Sequence, residues 1–308
     1  MHTRDHQIKP EYRQGMMRVF HYINQNLTGD VSLETLAGIA NYSPFHFQKI
    51  FLENVKETPK QYVVRLRLER AAHYLKMFPD LPVTEIGIGC GFSSPSIFSR
   101  AFKNYFGISA ENFRKMSLIE ISSMSKANSN GEAPSWLIGQ SDEWQKIKIS
   151  PPPVVKTVKA MKFACVQTVL SHPESIYFSF KSLLQWAIPN GVVSGSAKYV
   201  GILLDVPFFT PVEKCRYLTG IELKEDMKLK AGIELIVLKD GKYASFTMKG
   251  NYQETMNHSI ALNHNYLTDL GYEMEDFIGY EIFDECPAEK PYETINKTIL
   301  LPVKAKSY

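Results

Sequence analysis

The 308-residue sequence contains no run of about 18 uncharged apolar residues, so no segment reads as a membrane-spanning helix. Its first residues, MHTRDHQIKPEYRQ, lack the apolar stretch of a secretory signal. A cytoplasmic protein with no membrane partner is the expectation. Cysteine is scarce. Cys90, Cys165, Cys215 and Cys286 stand far apart, with no CxxC pair and no metal-ligand spacing. That scatter argues against a disulfide framework and against a metal site, and each thiol reads as a small buried apolar residue. The sequence has no glycine-rich phosphate loop and no defensible serine-histidine-aspartate order, so no cofactor is expected and an enzyme is the weaker reading.

Charge of either sign is modest, with 35 Lys and Arg against 32 Asp and Glu. It is unevenly spread. Residues 1–120 hold 15 basic against 11 acidic side chains, and the remainder holds 20 against 21. A mildly basic first part suits a nucleic-acid module joined to a charge-balanced domain. Between them, residues 117–135 lose apolar periodicity and gain Ser, Asn, Gly and Pro, a linker composition. Trp136 and Trp144 follow and could pack on either neighbour, and Pro151-Pro152-Pro153 opens an extended segment. The sequence therefore reads as multidomain: an all-α domain at 1–118, a linker at 119–150, and an α+β domain at 151–305.

The first domain contains an internal repeat. Phe47, Phe51, Pro59 and Tyr62 recur as Phe98, Phe102, Ala110 and Phe113, each 51 positions on. Leu36 and Tyr42 recur as Ile86 and Phe92, 50 positions on, and the slip falls in a turn. Each copy reads as a short helix, a tight turn and a second helix. Ser32 is a candidate N-cap, Ser43-Pro44 and Ser94-Pro95 open the second helices, and Gly91 sits in the second turn. A continuous helix from about Tyr62 joins the copies and ends before Pro79. Phe47, Ile50 and Phe51, and in the second copy Phe98 and Phe102, form inward stripes. The outward faces carry Phe45, His46, Gln48, Lys49 and Glu53 in one copy and Ser96, Ser99, Arg100 and Lys103 in the other. Arg and Lys match guanine edges, Gln matches adenine, Ser reaches bases or phosphates, and Phe can touch a thymine methyl. A double helix-turn-helix is built to place such faces in major grooves.

Residues 30–116 resemble the DNA-binding domain of the AraC family of transcription regulators, most closely the subgroup containing Rob, MarA and SoxS. The similarity is carried by Arg67-Leu68, Ala71, Leu75, Ile86, Gly91-Phe92, Phe98, Arg100, Phe102-Lys103, Gly107, Phe113 and Arg114. It implies double-stranded DNA as partner, with two recognition helices about 34 Å apart in successive major grooves. It makes Phe45, Gln48 and Lys49 the base-reading candidates of one helix and Ser96, Ser99 and Arg100 those of the other. Lys103 and Arg114 are then candidates for phosphate contact. Two positions depart from the family pattern. Gly87 replaces the usual Ala and should loosen its short helix by about 0.5–1 kcal/mol. Lys56 stands where the second copy has Gly107.

After the linker, β-rich runs alternate with two helical stretches that start near Glu174 and Tyr252. Asp240-Gly241 marks a hairpin turn. YVGILLD and FIGYEIFD share a shape and match at Gly201 and Gly279, so two β-α-β-β repeats in one antiparallel sheet are expected. In the second strand, alternation puts Gly279, Glu281 and Phe283 on one face. A buried Glu281 is costly unless it is paired. It needs a cationic ligand or a Lys or Arg of the chain, unless it lies exposed on the sheet. Trp186, Phe208, Tyr217 and Phe283 are candidate aromatic walls.

Residues 153–304 resemble the gyrase-inhibitor-like effector-binding domain. The markers are Asp205-Val206-Pro207, Thr210-Pro211, Arg216-Tyr217, Gly241, Tyr243, Gly250 and Glu281-Ile282-Phe283. The family usually has Tyr where this chain has Phe283, and a helical Trp where it has Tyr266. The resemblance implies a small-molecule effector, lipophilic and cationic, in contact with Glu281. The whole chain then reads as a sequence-specific DNA-binding transcription regulator that senses a small molecule, with RNA polymerase a further partner. Two alternatives stand beside it. The second domain could be a protein-interaction module, or a hydrolase using Glu281. Related DNA domains are also joined to alkyl-transfer repair domains with a Cys between Pro and His. Cys286-Pro287 is the nearest feature, and no His adjoins it.

Overall fold

A computed structural model describes residues 10–78, 80–116, 146–170, 174–193, 197–205, 214–230, 232–275 and 278–306, with residues 121 and 210. Most of the expected linker at 119–150, with Trp136 and Trp144, lies outside the described residues, as does the candidate Phe208. The chain divides into two compact units, the first running through Gly131 and the second from Glu132, with Lys230–Gly232 grouped with the first. No helix among the described residues is long and apolar enough to cross a membrane.

The helical unit comprises α1 (Pro10–Asn26), α2 (Leu33–Ala40), α3 (Pro44–Val55), α4 (Pro59–Met77), α5 (Val83–Gly89), α6 (Pro95–Phe106) and α7 (Ala110–Lys115). Its starts follow the expected chemistry. The Ser32, Ser43 and Ser94 hydroxyls accept from the backbone N–H groups of Thr35, His46 and Ile97. Thr58 forms a reciprocal capping box with Gln61, so α4 starts at Pro59, ahead of the expected Tyr62. The caps repeat as the stripes do. Thr58 and Ser109 open equivalent helices, and Lys56 and Gly107 close α3 and α6 in the left-handed conformation at φ 63° and 78°.

Helix α1 precedes the repeat and was not anticipated. Its Met16, Val19, Phe20 and Ile23 share one core with Leu36, Phe47, Phe51 and Tyr62. Gly87 also differs from expectation. A Cβ there would lie 2.5 Å from the Phe98 ring, so glycine is what lets α5 approach α6, whatever it costs in helix propensity. Helix α4 braces both halves of the unit. The buried Arg65 guanidinium pairs with Glu57 at 2.9 Å and Glu69 at 3.1 Å, and Tyr105 of α6 donates to Glu69 at 2.8 Å. Burial and the Glu69 charge push the Tyr105 hydroxyl far above its ordinary range, so it stays a donor.

The second unit contains β1 (Val154–Val158), β2 (Met161–Val169), α8 (Ser175–Ala187), β3 (Tyr199–Leu203), β4 (Arg216–Glu222), β5 (Glu234–Leu238), β6 (Gly241–Met248), α9 (Tyr252–Asn265), β7 (Tyr272–Met274), β8 (Tyr280–Phe283), a 3-10 turn (Tyr292–Thr294) and β9 (Lys297–Ala305). The first β-like run divides at Lys159-Ala160 into two strands with different partners. Each repeat is therefore β-β-α-β-β, with β7 added to the second. The sheet is antiparallel in the order β1-β6-β9-β8-β3-β4-β2-β5, with β7 on β9.

That order is unchanged when the repeats are exchanged and the direction reversed. The first strand of each repeat pairs with the second strand of the other, β1 with β6 and β5 with β2. The ladders fix the alignment. The pair Gly201–Thr219 corresponds to Glu281–Ile299, and Cys165–Gly220 to Ser245–Leu300. The pair Val154–Ser245 corresponds to Glu234–Cys165. Each correspondence is a shift of 80 residues, 281 minus 201. Gly201 thus aligns with Glu281 and not with Gly279, because hydrogen-bond register outweighs likeness of residue type. The pseudo-two-fold runs between Gly201 and Glu281, which pair directly across β3 and β8.

Helices α8 and α9 cover one face of this sheet. Phe180, Leu183 and Ala187 of α8 pack with Ala164, Tyr199, Tyr217 and Phe283. Leu262 of α9 packs with Ala244, Phe246, Ile299 and Leu301. Phe163, Val200, Leu218, Ile282 and Leu300 form the core of the opposite face.

Candidate nucleic-acid face and effector site

The second helix of each helix-turn-helix presents a solvated polar stripe. On α3, Phe45, Gln48 and Lys49 are exposed, and on α6 so are Ser96, Ser99, Arg100 and Lys103. Their inward neighbours Phe47, Ile50 and Phe51, and Phe98 and Phe102, are buried. Phe45 is 84% exposed, an unusual position for an aromatic ring unless something covers it. Leu52 and Ile97 are also exposed, apolar groups on the same two helices that the stripe pattern did not flag. One Nη of Arg114 donates to the Leu81 carbonyl at 2.5 Å, and its Nε is buried without a partner.

In the sheet unit, Glu281 is only 7% exposed. Alternation holds as expected, with Phe283 in the α8 core and Tyr280 and Ile282 in the core of the opposite face. Both carboxylate oxygens are taken by phenols. The Tyr217 hydroxyl donates to Oε2, and the Tyr292 hydroxyl donates to Oε1 at 2.7 Å. Burial, then the Glu281 charge, pushes both phenols well above their ordinary range, so they remain donors. Gly201 opposite has no side chain because a Cβ would overlap the Tyr217 hydroxyl.

Three further groups complete the cluster. The Tyr252 hydroxyl, at the start of α9, is buried without a hydrogen-bond partner, and its titration is pushed up chiefly by burial, with Glu281 contributing. The Lys297 ammonium lies 3.5 Å from the centre of the Tyr292 ring and donates to the Gly250 carbonyl at 2.6 Å. Burial lowers Lys297 to about 8, against the opposing pull of Glu281. Nearby in the chain, Asp205 and Arg216 form an ion pair at 2.6 Å, which ties the start of β4 to the segment after β3.

A model described as a helix-turn-helix domain matches residues 36–116, and one described as a GyrI-like small molecule binding domain matches residues 151–304, half of the chain. This chain belongs to the GyrI-like family through its C-terminal half and carries a helix-turn-helix domain ahead of it. The probable transcriptional regulator LumQ of Photobacterium leiognathi is 32% identical over 102 residues, 33% of this chain and 41% of that protein. The Msm operon regulatory protein of Streptococcus mutans is 36% identical over 93 residues, 30% of this chain and 33% of that protein. The HTH-type transcriptional regulator ArgR of Pseudomonas aeruginosa is 33% identical over 99 residues, 32% of this chain and 29% of that protein. The chain thus spans less than half the length of these curated relatives.

Within the GyrI-like domain the structure brings together Glu281, Tyr217 and Phe283 from the sequence-derived set, and Trp186 packs partly buried against the same core. Sequence reasoning missed Tyr292, Tyr252 and Lys297. Tyr292 lies in a short 3-10 turn with no periodic signal. Lys297 was findable only through the open requirement that a buried Glu281 have a cation near it. Tyr266 packs with the α9 core instead, where its hydroxyl accepts from the Ile149 N–H at 2.9 Å.

Proposed function

We propose that this protein is a cytoplasmic AraC-type transcription regulator that reads duplex DNA through α3 and α6 and senses a small molecule at Glu281. The paired, exposed faces of α3 and α6 carry the first half of this reading. Two polar stripes sit at equivalent places on two equivalent helices, each backed by a phenylalanine core and each opened by the same Ser-Pro cap. Phe45, Gln48 and Lys49 then contact bases in one major groove, and Ser96, Ser99 and Arg100 contact bases in the next. Lys103 adds a phosphate contact. RNA polymerase enters as the machine whose recruitment or access the bound protein changes.

The carboxylate cluster supports the second half. A purely structural core gains nothing from a buried carboxylate, two phenols held on it and a third phenol left unpartnered. A ligand that binds one state of the chain more tightly shifts its population, which is all that regulation requires.

Genomic fragments of the source organism retained by the full chain at about 150 mM salt should share a sequence, and protection should span two successive major grooves. Sequence-blind retention would remove the reading. In a thermal-shift screen of lipophilic compounds, a saturable shift lost in Glu281→Gln supports the effector site. If no compound shifts the chain, the protein-interaction alternative gains ground.

A further inference from the structure

Lys297 changes what the effector site can hold. Its side chain has no exposed surface, and it stands across from Phe283 in the β8–β9 ladder, on the face that carries Glu281. Its ammonium covers the Tyr292 ring, and the Tyr292 hydroxyl donates to Glu281, so cation, ring and carboxylate form one chain of contacts. In the pseudo-two-fold alignment, Lys297 corresponds to Tyr217, the other group that serves Glu281. The carboxylate therefore has an internal counter-charge nearby, and the Tyr292 ring already carries a cation.

A second observation concerns hydrogen bonding. Each Glu281 oxygen already accepts one phenol proton, which leaves one acceptor direction on each. The site also offers a donor, the Tyr252 hydroxyl, buried and without a partner. An acceptor oxygen on a ligand satisfies that donor, and a quaternary cation, with no lone pair and no N–H, does not.

We propose that the site takes an uncharged aromatic ligand carrying an acceptor oxygen, because Lys297 already supplies the cation that a buried Glu281 requires. The proposal rests on the effector-site reading above and narrows its ligand class. Lys297 repels a second cation at short range in a poorly solvated place. The aromatic walls Phe283, Tyr217 and Trp186 receive the body of the ligand, and Tyr252 orients its oxygen.

Two probes of like shape separate the classes. Triphenylphosphine oxide is uncharged with one acceptor oxygen, and tetraphenylphosphonium is a permanent cation. Calorimetric titration of the full chain at pH 7 should show the oxide binding at least about tenfold more tightly. In Lys297→Met the phosphonium should gain and the ratio should fall severalfold or reverse. Wild type carries an independent arm that needs no folded variant. The charged groups around Lys297 are Glu281 on β8, Glu293 on the 3-10 turn and Glu254 in the first turn of α9. Lys297 loses its proton near pH 8. Raising the pH to about 9.5 should therefore improve phosphonium binding and leave the oxide unchanged.

A wild-type preference for the phosphonium overturns the proposal, as does a preference that moves neither with Lys297→Met nor with pH. A chain that binds other lipophilic cations and neither probe overturns the proposal and keeps the effector reading. A chain that binds no member of a lipophilic library overturns both.

Discussion

Gly201 faces Glu281 across the β3–β8 ladder, and the space its missing side chain leaves is filled by the Tyr217 hydroxyl on its way to the carboxylate. The pseudo-two-fold passes between these residues, so the centre of the sheet is also the centre of the candidate site. Gly201→Ala forces the fully buried Tyr217 off Glu281. It should lower stability by at least about 2 kcal/mol, from overpacking and a broken buried hydrogen bond. The urea midpoint of the full chain measures this, and an unchanged midpoint would show that Tyr217 can move freely.

Two glycines in α5 should behave oppositely. Gly87→Ala puts a methyl group 2.5 Å from the Phe98 ring and should destabilise by about 1–3 kcal/mol despite better helix propensity. Gly89→Ala has nothing within 4 Å and should stabilise by roughly 0.5–1 kcal/mol. Thermal midpoints of the two variants give the comparison, and equal shifts would contradict it.

Lys56 closes α3 at φ 63°, in a conformation that Gly107 adopts at no steric cost in α6. Lys56→Gly should therefore raise stability by roughly 0.5–1 kcal/mol, less the small loss of its ammonium contact to the Glu53 carbonyl. A fall in thermal midpoint would place more weight on that contact than on backbone conformation.

His73 on α4 is held down to about 4 by burial, with Arg70 adding to the effect. The unfolded chain takes up this proton near pH 6.5 and the folded chain does not, so stability is full above 6.5 and lost as pH falls toward 4. The contribution is on the order of 3 kcal/mol. Denaturant titrations at pH 7 and 4.5 should show a smaller acid loss in His73→Gln than in wild type. Equal losses would assign the acid sensitivity to other groups.

The helical unit was legible in the sequence because its signals are local. Ser-Pro caps, a fixed phenylalanine spacing and a turn glycine each act within a few residues, and each appears where expected. Helix α1 was missed because its apolar face is meaningful only against a core made by residues further along. The site in the sheet was legible at Glu281 and Phe283, since strand alternation fixes which face they share. Tyr292 and Lys297 reach Glu281 through strand order and a turn, and neither is encoded by a nearby pattern. The Gly201–Gly279 match failed for a related reason. Residue identity suggested one alignment, while the matched ladders of backbone hydrogen bonds impose another.

The central claim is that α3 and α6 read DNA sequence together. The most direct measurement is titration of one selected genomic fragment, and of its single-base variants, with wild type, Lys49→Ala and Arg100→Ala. Each substitution should cost about 1–3 kcal/mol and relax discrimination at bases in its own groove only, two blocks one helical turn apart. Uniform weakening across all base variants would reduce these side chains to phosphate contacts and contradict the claim.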